Sequence, residues 1–204
     1  MDITTYIQSA LKDIPDLKKY NTPWEIVGQI EIIVKNLIKQ LPSAEYKIND
    51  HVAIHITARI DPTATIKGPA ILGKNCLIGP YTFLRGGVYV GENSIIGFCS
   101  EVKTSLVFAD SAITHLNYVA DSIIGSRVNL EAGVVLLNYF NERSGKKIPV
   151  KVGENVIQTD TEKFGALIGD GCMLGGNAAL TPGTILEPKT IVKRLELVEQ
   201  VSGK

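Results

Sequence analysis

The sequence lacks the long apolar runs that membrane proteins and exported precursors carry. No stretch approaches 18 apolar residues, and the N-terminus, MDITTYIQSALKD, has charges inside its apolar run and no small-residue cleavage pattern. Net charge is absent as well, with 21 basic and 21 acidic side chains among 204 residues, so nothing draws the whole chain to nucleic acid or anionic lipid. We expect a cytoplasmic protein with no nucleic-acid or membrane partner, in which any anion site comes from local clustering.

Cysteine is also scarce. Cys76, Cys99 and Cys172 form an odd set without a CxxC spacing, which argues against a disulfide framework, a metal site or a nucleophile. We interpret them as buried structural thiols. The chain is long enough to bury one sizeable core, and we expect a single globular unit.

What the sequence does contain is a period of six residues from Ile48 to Val107. Each of ten consecutive six-residue words begins with an aliphatic residue: Ile48, Ile54, Ile60, Ile66, Leu72, Ile78, Leu84, Val90, Ile96 and Val102. The fifth positions, from Val52 to Ser100, are small or β-branched. This period fits neither a helix nor alternating hairpin strands, and it predicts a mainly β fold, a hexapeptide-repeat solenoid of parallel strands. The aliphatic residues and the small residues would both point into the coil.

The N-terminal 47 residues predict helices instead. Residues 3 to 13 fit a short amphipathic helix, and a stronger helix should start at Thr22, with Pro23 in its first turn, and run to Leu41. Its apolar stripe is wider than one contact face needs. We expect residues 1–47 to form a helical cap over one end of the coil, or to pack on another subunit, because an open solenoid end exposes strand edges and apolar interior.

Beyond Val107 the phase breaks. Words resume four residues out of register at Tyr118, which places a slip at Thr114 to Tyr118, and such irregularities often lie beside functional sites. The six-residue pattern is largely absent from residues 139–163, and this segment is predicted to form an inserted hairpin arm. The words return from Ile168 to Ile191. The predicted organisation is therefore a coil over residues 48–194, of six to seven turns, and a tail over residues 195–204.

A basic column emerges when the coil is divided into turns of eighteen residues. Lys67, Arg85 and Lys103 are spaced by 18 and should lie at one corner of successive turns, about 4.8 Å apart. Stacked like charges without a counter-charge are unfavourable. Either the side chains splay into water, as surface cations often do, or they form a phosphate pocket, and the column alone does not decide between these.

Four segments carry a resemblance to a known family: RGG at 85, EVK at 101, HLNYVADSIIG at 115 and RVNLEAG at 127. They resemble the C-terminal left-handed β-helix domain of bifunctional N-acetylglucosamine-1-phosphate uridyltransferases. With KFGALIGD at 163, they are still more similar to archaeal sugar-1-phosphate nucleotidylyltransferases that carry an acetyltransferase domain. The resemblance implies a left-handed coil, a homotrimer with sites between subunits, acetyl-CoA as co-substrate and acetylation of an amino-sugar phosphate.

By this resemblance His115 is the general base, Arg85 and Lys103 hold the sugar phosphate, and Tyr118 and Asn129 orient the sugar. The implied chemistry is coherent, because an amine attacks a thioester only as the free base and a neutral imidazole can take its proton. Such assistance is typically worth about 10² to 10⁴ in rate.

The resemblance also implies that Asn138 and Lys147 reach the acyl-transfer centre and that Ala132 and Gly176 lie on the acetyl-CoA path. The chain departs from the family pattern at Glu131, where the family has glycine, at Gly176, where it has serine, and at Gly165, where it has lysine. The family's nucleotidyltransferase domain has no counterpart in residues 1–47, and we expect no nucleotidyl transfer.

Three alternatives remain open. A non-catalytic coil could serve assembly, or could regulate a separate nucleotidyltransferase. A transferase of the same fold could use a longer acyl chain. A hexapeptide metalloenzyme is disfavoured, because it needs convergent imidazoles whereas His51 and His55 precede His115 by about 60 residues.

Overall fold

The computed structural model describes residues 1–201, and most of them form one parallel β-helix with three flat faces. The predicted mainly β solenoid of parallel strands is thereby confirmed. Face 1 consists of Val52–His55, Ala70–Leu72, the second halves of Phe83–Val90 and Glu101–Val107, Ile123–Ile124, Ala166–Ile168 and Thr184–Leu186. Face 2 consists of Arg59–Ile60, Leu77–Ile78, Ile95–Ile96, Ala112–Ile113, Asn129–Leu130, Met173–Leu174 and Ile191–Val192. Face 3 consists of Thr65–Ile66, the first halves of Phe83–Val90 and Glu101–Val107, Tyr118–Ala120, Val135–Leu136, Ala179–Leu180 and Leu197–Val198.

The interior of the coil follows the six-residue code. Leu72, Ile78, Leu84, Val90 and Ile96 are fully buried in one cluster. The small positions are buried too, and the polar ones bond to the next turn: Thr82 Oγ1 donates to the carbonyl of Gly97 at 2.9 Å. Cys76 and Cys172 lie inside the coil, and burial raises the pKa of the Cys76 thiol to about 11, as a structural role requires.

The predicted slip at Thr114 to Tyr118 is wrong. The inward residue after Val102 is Val107, and the one after Val119 is Ile124; each step is five residues, whereas the steps between these two points remain six. The two losses together move the six-residue phase back by two positions. In a period of six, this gives the same phase as a forward slip of four residues. Both losses fall at the corner between faces 3 and 1, where Thr104 and Asp121 adopt positive φ of 45° and 49°.

The ends of the coil also differ from the prediction. Ile48 belongs to Tyr46–Asn49, which pairs antiparallel with Val52–His55, so the coil begins at Val52 and a hairpin covers its first strand edge. Ile48 is accordingly exposed. At the other end Leu197–Val198 pairs with Ala179–Leu180, so the coil continues past 194 into the predicted tail. Residues 202–204 of that tail lie outside the described residues.

The helical N-terminal segment lies along a flank of the coil. It consists of 3₁₀ turns at Ile3–Thr5 and Pro15–Lys19 and helices α1 (Ala10–Asp13), α2 (Pro23–Val27) and α3 (Ile30–Ile38). The single helix expected from Thr22 to Leu41 is divided, because Gln29 leaves helical geometry with φ −120° and ψ 6°. None of the helices in residues 1–201 has the length and apolar character that crossing a bilayer requires.

These helices cover face 1 and not an end of the coil. The outward residues of that face are apolar and pack with α2 and α3 in a second core: Ala53, Ile71, Leu106, Ile123, Leu167 and Ile185. The inserted segment completes this layer. Its strands Pro149–Val152 and Asn155–Gln158 form an antiparallel hairpin, as predicted, and Phe140, Ile148 and Phe164 pack against the helices and face 1. The outward side of face 1 is therefore covered by the helices and the inserted segment of the same chain.

Gly87 lies where the coil packs closely against α3. Its φ is +87°, and a Cβ there would lie 3.0 Å from the Cα of Glu31. We expect Gly87→Ala to lower the free energy of unfolding by about 1–2 kcal/mol for the left-handed backbone and by a further 1–3 kcal/mol for displacing the helix. Gly153→Ala is the matched control, since Gly153 has φ +57° and nothing within 4 Å. Equal losses in urea unfolding would show that α3 does not press on the coil.

Candidate active site

The basic column lies at the corner between faces 3 and 1, and two of its three cations have counter-charges. Arg85 Nε and Nη2 donate to Glu101 Oε1 at 2.7 and 2.6 Å. Lys103 Nζ donates to both carboxylate oxygens of Asp121, at 3.2 and 3.0 Å. Lys67 Nζ lies 5.3 Å from the centre of the Phe83 ring. Arg85 and Lys103 are therefore stacked but are not uncompensated charges.

The Lys103–Asp121 pair is the buried part of this corner. The two side chains are 16% and 5% exposed, whereas those of Arg85 and Glu101 are 37% and 29% exposed. Asn138 Nδ2 donates to Asp121 Oδ2, and the backbone N–H of Gly165 donates to the Asp121 carbonyl at 2.8 Å. Three predicted residues of the site therefore contact two carboxylates at this corner. Lys103 and Asn138 contact Asp121, and Arg85 contacts Glu101.

Gly165 explains one departure from the family pattern. A Cβ at this position would lie 2.2 Å from the carbonyl oxygen of Ala120 and 2.2 Å from Ser122 Oγ. No side chain fits there without moving the backbone, so the lysine of the family has no counterpart at Gly165. Lys163, two residues earlier, is exposed.

Tyr118 lies beside the same cluster on face 3, directly opposite Glu101 in the strand register. Burial raises the pKa of its phenol, the charges of Glu101 and Asp121 raise it further, and Arg85 opposes them. The hydroxyl therefore stays protonated at neutral pH and can donate a hydrogen bond to a ligand at this corner.

His115 lies at the opposite edge of face 3, in the corner that follows Ala112–Ile113. Asn117 holds this loop: its Oδ1 accepts from the His115 backbone N–H at 2.9 Å, and its Nδ2 donates to the Glu131 carbonyl at 2.7 Å. The His115 residue is exposed, and within residues 1–201 its imidazole forms no hydrogen bond. The ring is free to meet a ligand, and face 3 separates it from Lys103.

Asn129 and Gly176 lie on another part of the surface, by a groove of about 530 Å³ along face 2. Its lining includes Met173 and Ile191 on the floor and Lys193 and Arg194 at the rim. Glu131 lies on the same rim, and one of its carboxylate oxygens accepts the Gly176 N–H at 2.7 Å. Ala132 is exposed next to it, and its carbonyl accepts from Asn177. One corner therefore joins Glu131, Ala132 and Gly176.

Lys147 is held within the arm. Its Nζ donates to Asp160 at 2.7 Å, and both side chains are largely exposed. This ion pair raises the pKa of Lys147 and lowers that of Asp160. Its contacts within residues 1–201 do not link Lys147 to the corner of Lys103.

Sequence reasoning missed Glu101, Asp121, Asn117 and Arg194. Glu101 and Asp121 can be recognised as counter-charges only in the folded register, where each carboxylate lies close to a cation of the column. The Glu131–Arg194 contact has no signal in the sequence, because 63 residues separate the partners.

The repeats match two family models. Residues 69–104 match the bacterial transferase hexapeptide (six repeats), and residues 165–193 match the hexapeptide repeat of succinyl-transferase. The coil is built of the hexapeptide repeats that these two transferase models describe.

Curated proteins similar to this hexapeptide-repeat domain are longer than the chain. The bifunctional protein GlmU of Bordetella parapertussis is 36% identical over 131 residues, which are 64% of this chain and 28% of that protein. A bifunctional sugar-1-phosphate nucleotidylyltransferase/acetyltransferase of Sulfurisphaera tokodaii is 36% identical over 166 residues, which are 79% of this chain and 41% of that protein. The chain thus spans between a quarter and a half of the length of these relatives.

Among solved structures, a hexapeptide transferase family protein from Anaplasma phagocytophilum overlaps 70% of each chain, with 20% identity and a TM-score of 0.31. The fold assigned to the hexapeptide-repeat domain depends on its own strand register and not on this overlap.

Proposed function

We propose that this domain transfers an acyl group, acetyl in the simplest case, from acyl-CoA to the amine of a hexosamine 1-phosphate or a related nucleotide sugar. The name of the Sulfurisphaera tokodaii relative, a bifunctional sugar-1-phosphate nucleotidylyltransferase/acetyltransferase, supports an acetyl transfer beside nucleotidylyl transfer. We assign nucleotidyl transfer to a partner protein or domain, because residues 1–47 form short helices and a strand that pack on the coil.

The observation that carries this proposal is the set of unused donors at the corner of Lys103. A guanidinium has five N–H groups and an ammonium three. Arg85 gives one Nε–H and one Nη2–H to Glu101, and Lys103 gives two to Asp121, so both keep donors for a phosphate. Tyr118 adds a protonated hydroxyl. Arg85 in particular suits a phosphate, since its planar fork binds two oxygens at once.

His115 supplies the base in this proposal. Because face 3 separates it from Lys103 within one subunit, His115 would meet a sugar phosphate held at the corner of Lys103 across the boundary between two subunits of the trimer proposed below. Transfer to an amine needs a group that removes a proton, and the exposed imidazole, in a loop fixed by Asn117, is available for it. Glu131 is a poorer candidate, because hydrogen bonds from Arg194 and from the Gly176 N–H lower the pKa of its carboxyl.

The groove on face 2 fits the acyl donor. Its apolar floor at Met173 and Ile191 suits a pantetheine arm, and the cations Lys193 and Arg194 at the rim suit phosphate groups. Bound acyl-CoA supplies the thioester, whose thiolate is a good leaving group and needs little acid assistance. Ala132 and Gly176, on the same rim, would lie beside the donor.

The proposal is tested by incubating the purified chain with acetyl-CoA and a hexosamine 1-phosphate, and measuring the N-acetyl product by mass spectrometry. We expect transfer, with a higher KM for the same hexosamine without phosphate. Succinyl-CoA and longer acyl-CoA esters test the acyl group. If no donor and no amino-sugar phosphate gives a product, the non-catalytic alternative, an assembly or regulatory coil, replaces the enzyme.

A homotrimer is part of this proposal. Face 1 is covered by the helices and the arm, but the outward residues on the first turns of face 2 and at its adjoining corner, away from the donor groove, are apolar and exposed: Leu77, Ile95, Tyr81, Phe98 and Leu116. Contiguous exposed apolar surface indicates an interface. In a trimer with three-fold symmetry, each subunit can bury this surface against its neighbour. We expect light scattering to give three times 22.1 kDa. A monomer at micromolar concentration would contradict it.

A further inference from the structure

Glu131 and Arg194 form an ion pair across three turns of the coil. Arg194 Nε donates to Glu131 Oε2 at 2.8 Å and Nη2 donates to Oε1 at 2.7 Å, which is a bidentate geometry. The Gly176 N–H, on the turn between them, donates to Glu131 Oε2 at 2.7 Å. The Glu131 carboxylate therefore accepts hydrogen bonds from the Arg194 guanidinium and from a backbone N–H, on the rim of the face 2 groove.

This pair is open to solvent. The Glu131 and Arg194 side chains are 40% and 75% exposed. Exposed ion pairs contribute only about 0.2–1 kcal/mol, so a ligand with two or more negative charges can replace the carboxylate without unfolding any part of the coil. A phosphate would use the same fork, since the guanidinium geometry matches carboxylate and phosphate alike.

We propose that Glu131 is a latch that competes with the phosphate groups of the acyl donor for Arg194. This inference rests on the proposed function, because it takes the face 2 groove as the donor site. In the free protein Glu131 holds Arg194 across the groove. When an anionic donor binds, its phosphate replaces the carboxylate on Arg194, and Glu131 turns into water with the Gly176 N–H released. Glu131 thus lowers the affinity for anionic donors without contributing to transfer.

The test is calorimetric binding of CoA to the wild-type protein and to Glu131→Gln. The amide keeps an oxygen for the Gly176 N–H but cannot form the ion pair, so we expect CoA to bind up to about 5-fold more tightly. Pantetheine, which has no phosphate, should bind both proteins equally. The matched protein control is Glu199→Gln, which breaks the exposed Arg143–Glu199 pair at 3.3 Å and should leave CoA binding unchanged.

A double-mutant cycle separates competition from simple repulsion. Arg194→Gln should weaken CoA binding, and adding Glu131→Gln should then restore little, because the group under competition is gone. A gain of the same size in both backgrounds would mean that Glu131 only repels the ligand, and would overturn the latch.

The outcomes also distinguish this inference from the proposed function. Measurable CoA binding that Glu131→Gln leaves unchanged overturns the latch and leaves the transferase standing. A gain for pantetheine equal to that for CoA overturns the latch as well, since charge would not be the cause. If CoA binds neither protein at millimolar concentration, both proposals fail.

Discussion

His115→Ala is expected to lower kcat for acyl transfer by about 10² to 10⁴ while leaving the Kd of CoA within about two-fold. The imidazole forms no hydrogen bond within residues 1–201 and is exposed, so its removal should leave the Tm almost unchanged. A loss of rate without a loss of stability is the behaviour of a base that contacts substrate. Steady-state kinetics, calorimetry and thermal unfolding measure the three quantities.

Asn117→Ala is the contrasting control for this prediction. Asn117 is 3% exposed and fixes the loop through its bonds to the His115 N–H and the Glu131 carbonyl. Its removal should lower kcat and Tm together, and free imidazole in the buffer should partly restore the rate of His115→Ala but not of Asn117→Ala. If the His115→Ala protein transfers acyl groups at the wild-type rate, His115 is only a loop residue.

The strand phase was predictable because it depends on residue size alone. The narrow interior between the three faces of the coil admits only aliphatic or small side chains. This constraint recurs at every sixth residue from Ile54 to Val102. The corners were not predictable in the same way. Thr104 and Asp121 adopt a left-handed backbone where a residue is lost, but so does Asn93 at a corner that loses none, so a residue type that favours positive φ does not mark the loss.

The face that the N-terminal helices cover could not be predicted from the sequence, for a related reason. The outward residues of face 1, such as Ile71 and Leu167, are as apolar as the inward ones, so the period of six does not show which face the helices cover. At the candidate site the types and spacing of Arg85, Lys103 and His115 could be predicted from the resemblance. Their partners could not, since Glu101 and Asp121 are recognised as counter-charges only when the strand register is known.

Lys103 and Arg85 occupy equivalent positions on successive turns, yet their replacement by methionine should have different effects on stability. Lys103→Met leaves the Asp121 carboxylate, 5% exposed, with Asn138 as its remaining side-chain partner. Removing one member of a buried pair typically costs about 3–5 kcal/mol, and since Lys103 is 16% exposed we expect a loss of about 2–4 kcal/mol. Arg85→Met breaks a more exposed pair and should cost about 0–1 kcal/mol.

Both variants should raise the KM for the phosphorylated sugar, because both remove a phosphate donor, but only Lys103→Met should also lower the unfolding midpoint in urea. A second substitution identifies the cause. Adding Asp121→Asn to Lys103→Met removes the unpaired buried charge, and asparagine tolerates the φ of +49° at this position. We therefore expect most of the lost stability to return while the KM stays high. If Lys103→Met is as stable as Arg85→Met, Asp121 does not depend on the lysine, and the buried pair contributes to neither folding nor the geometry of the site.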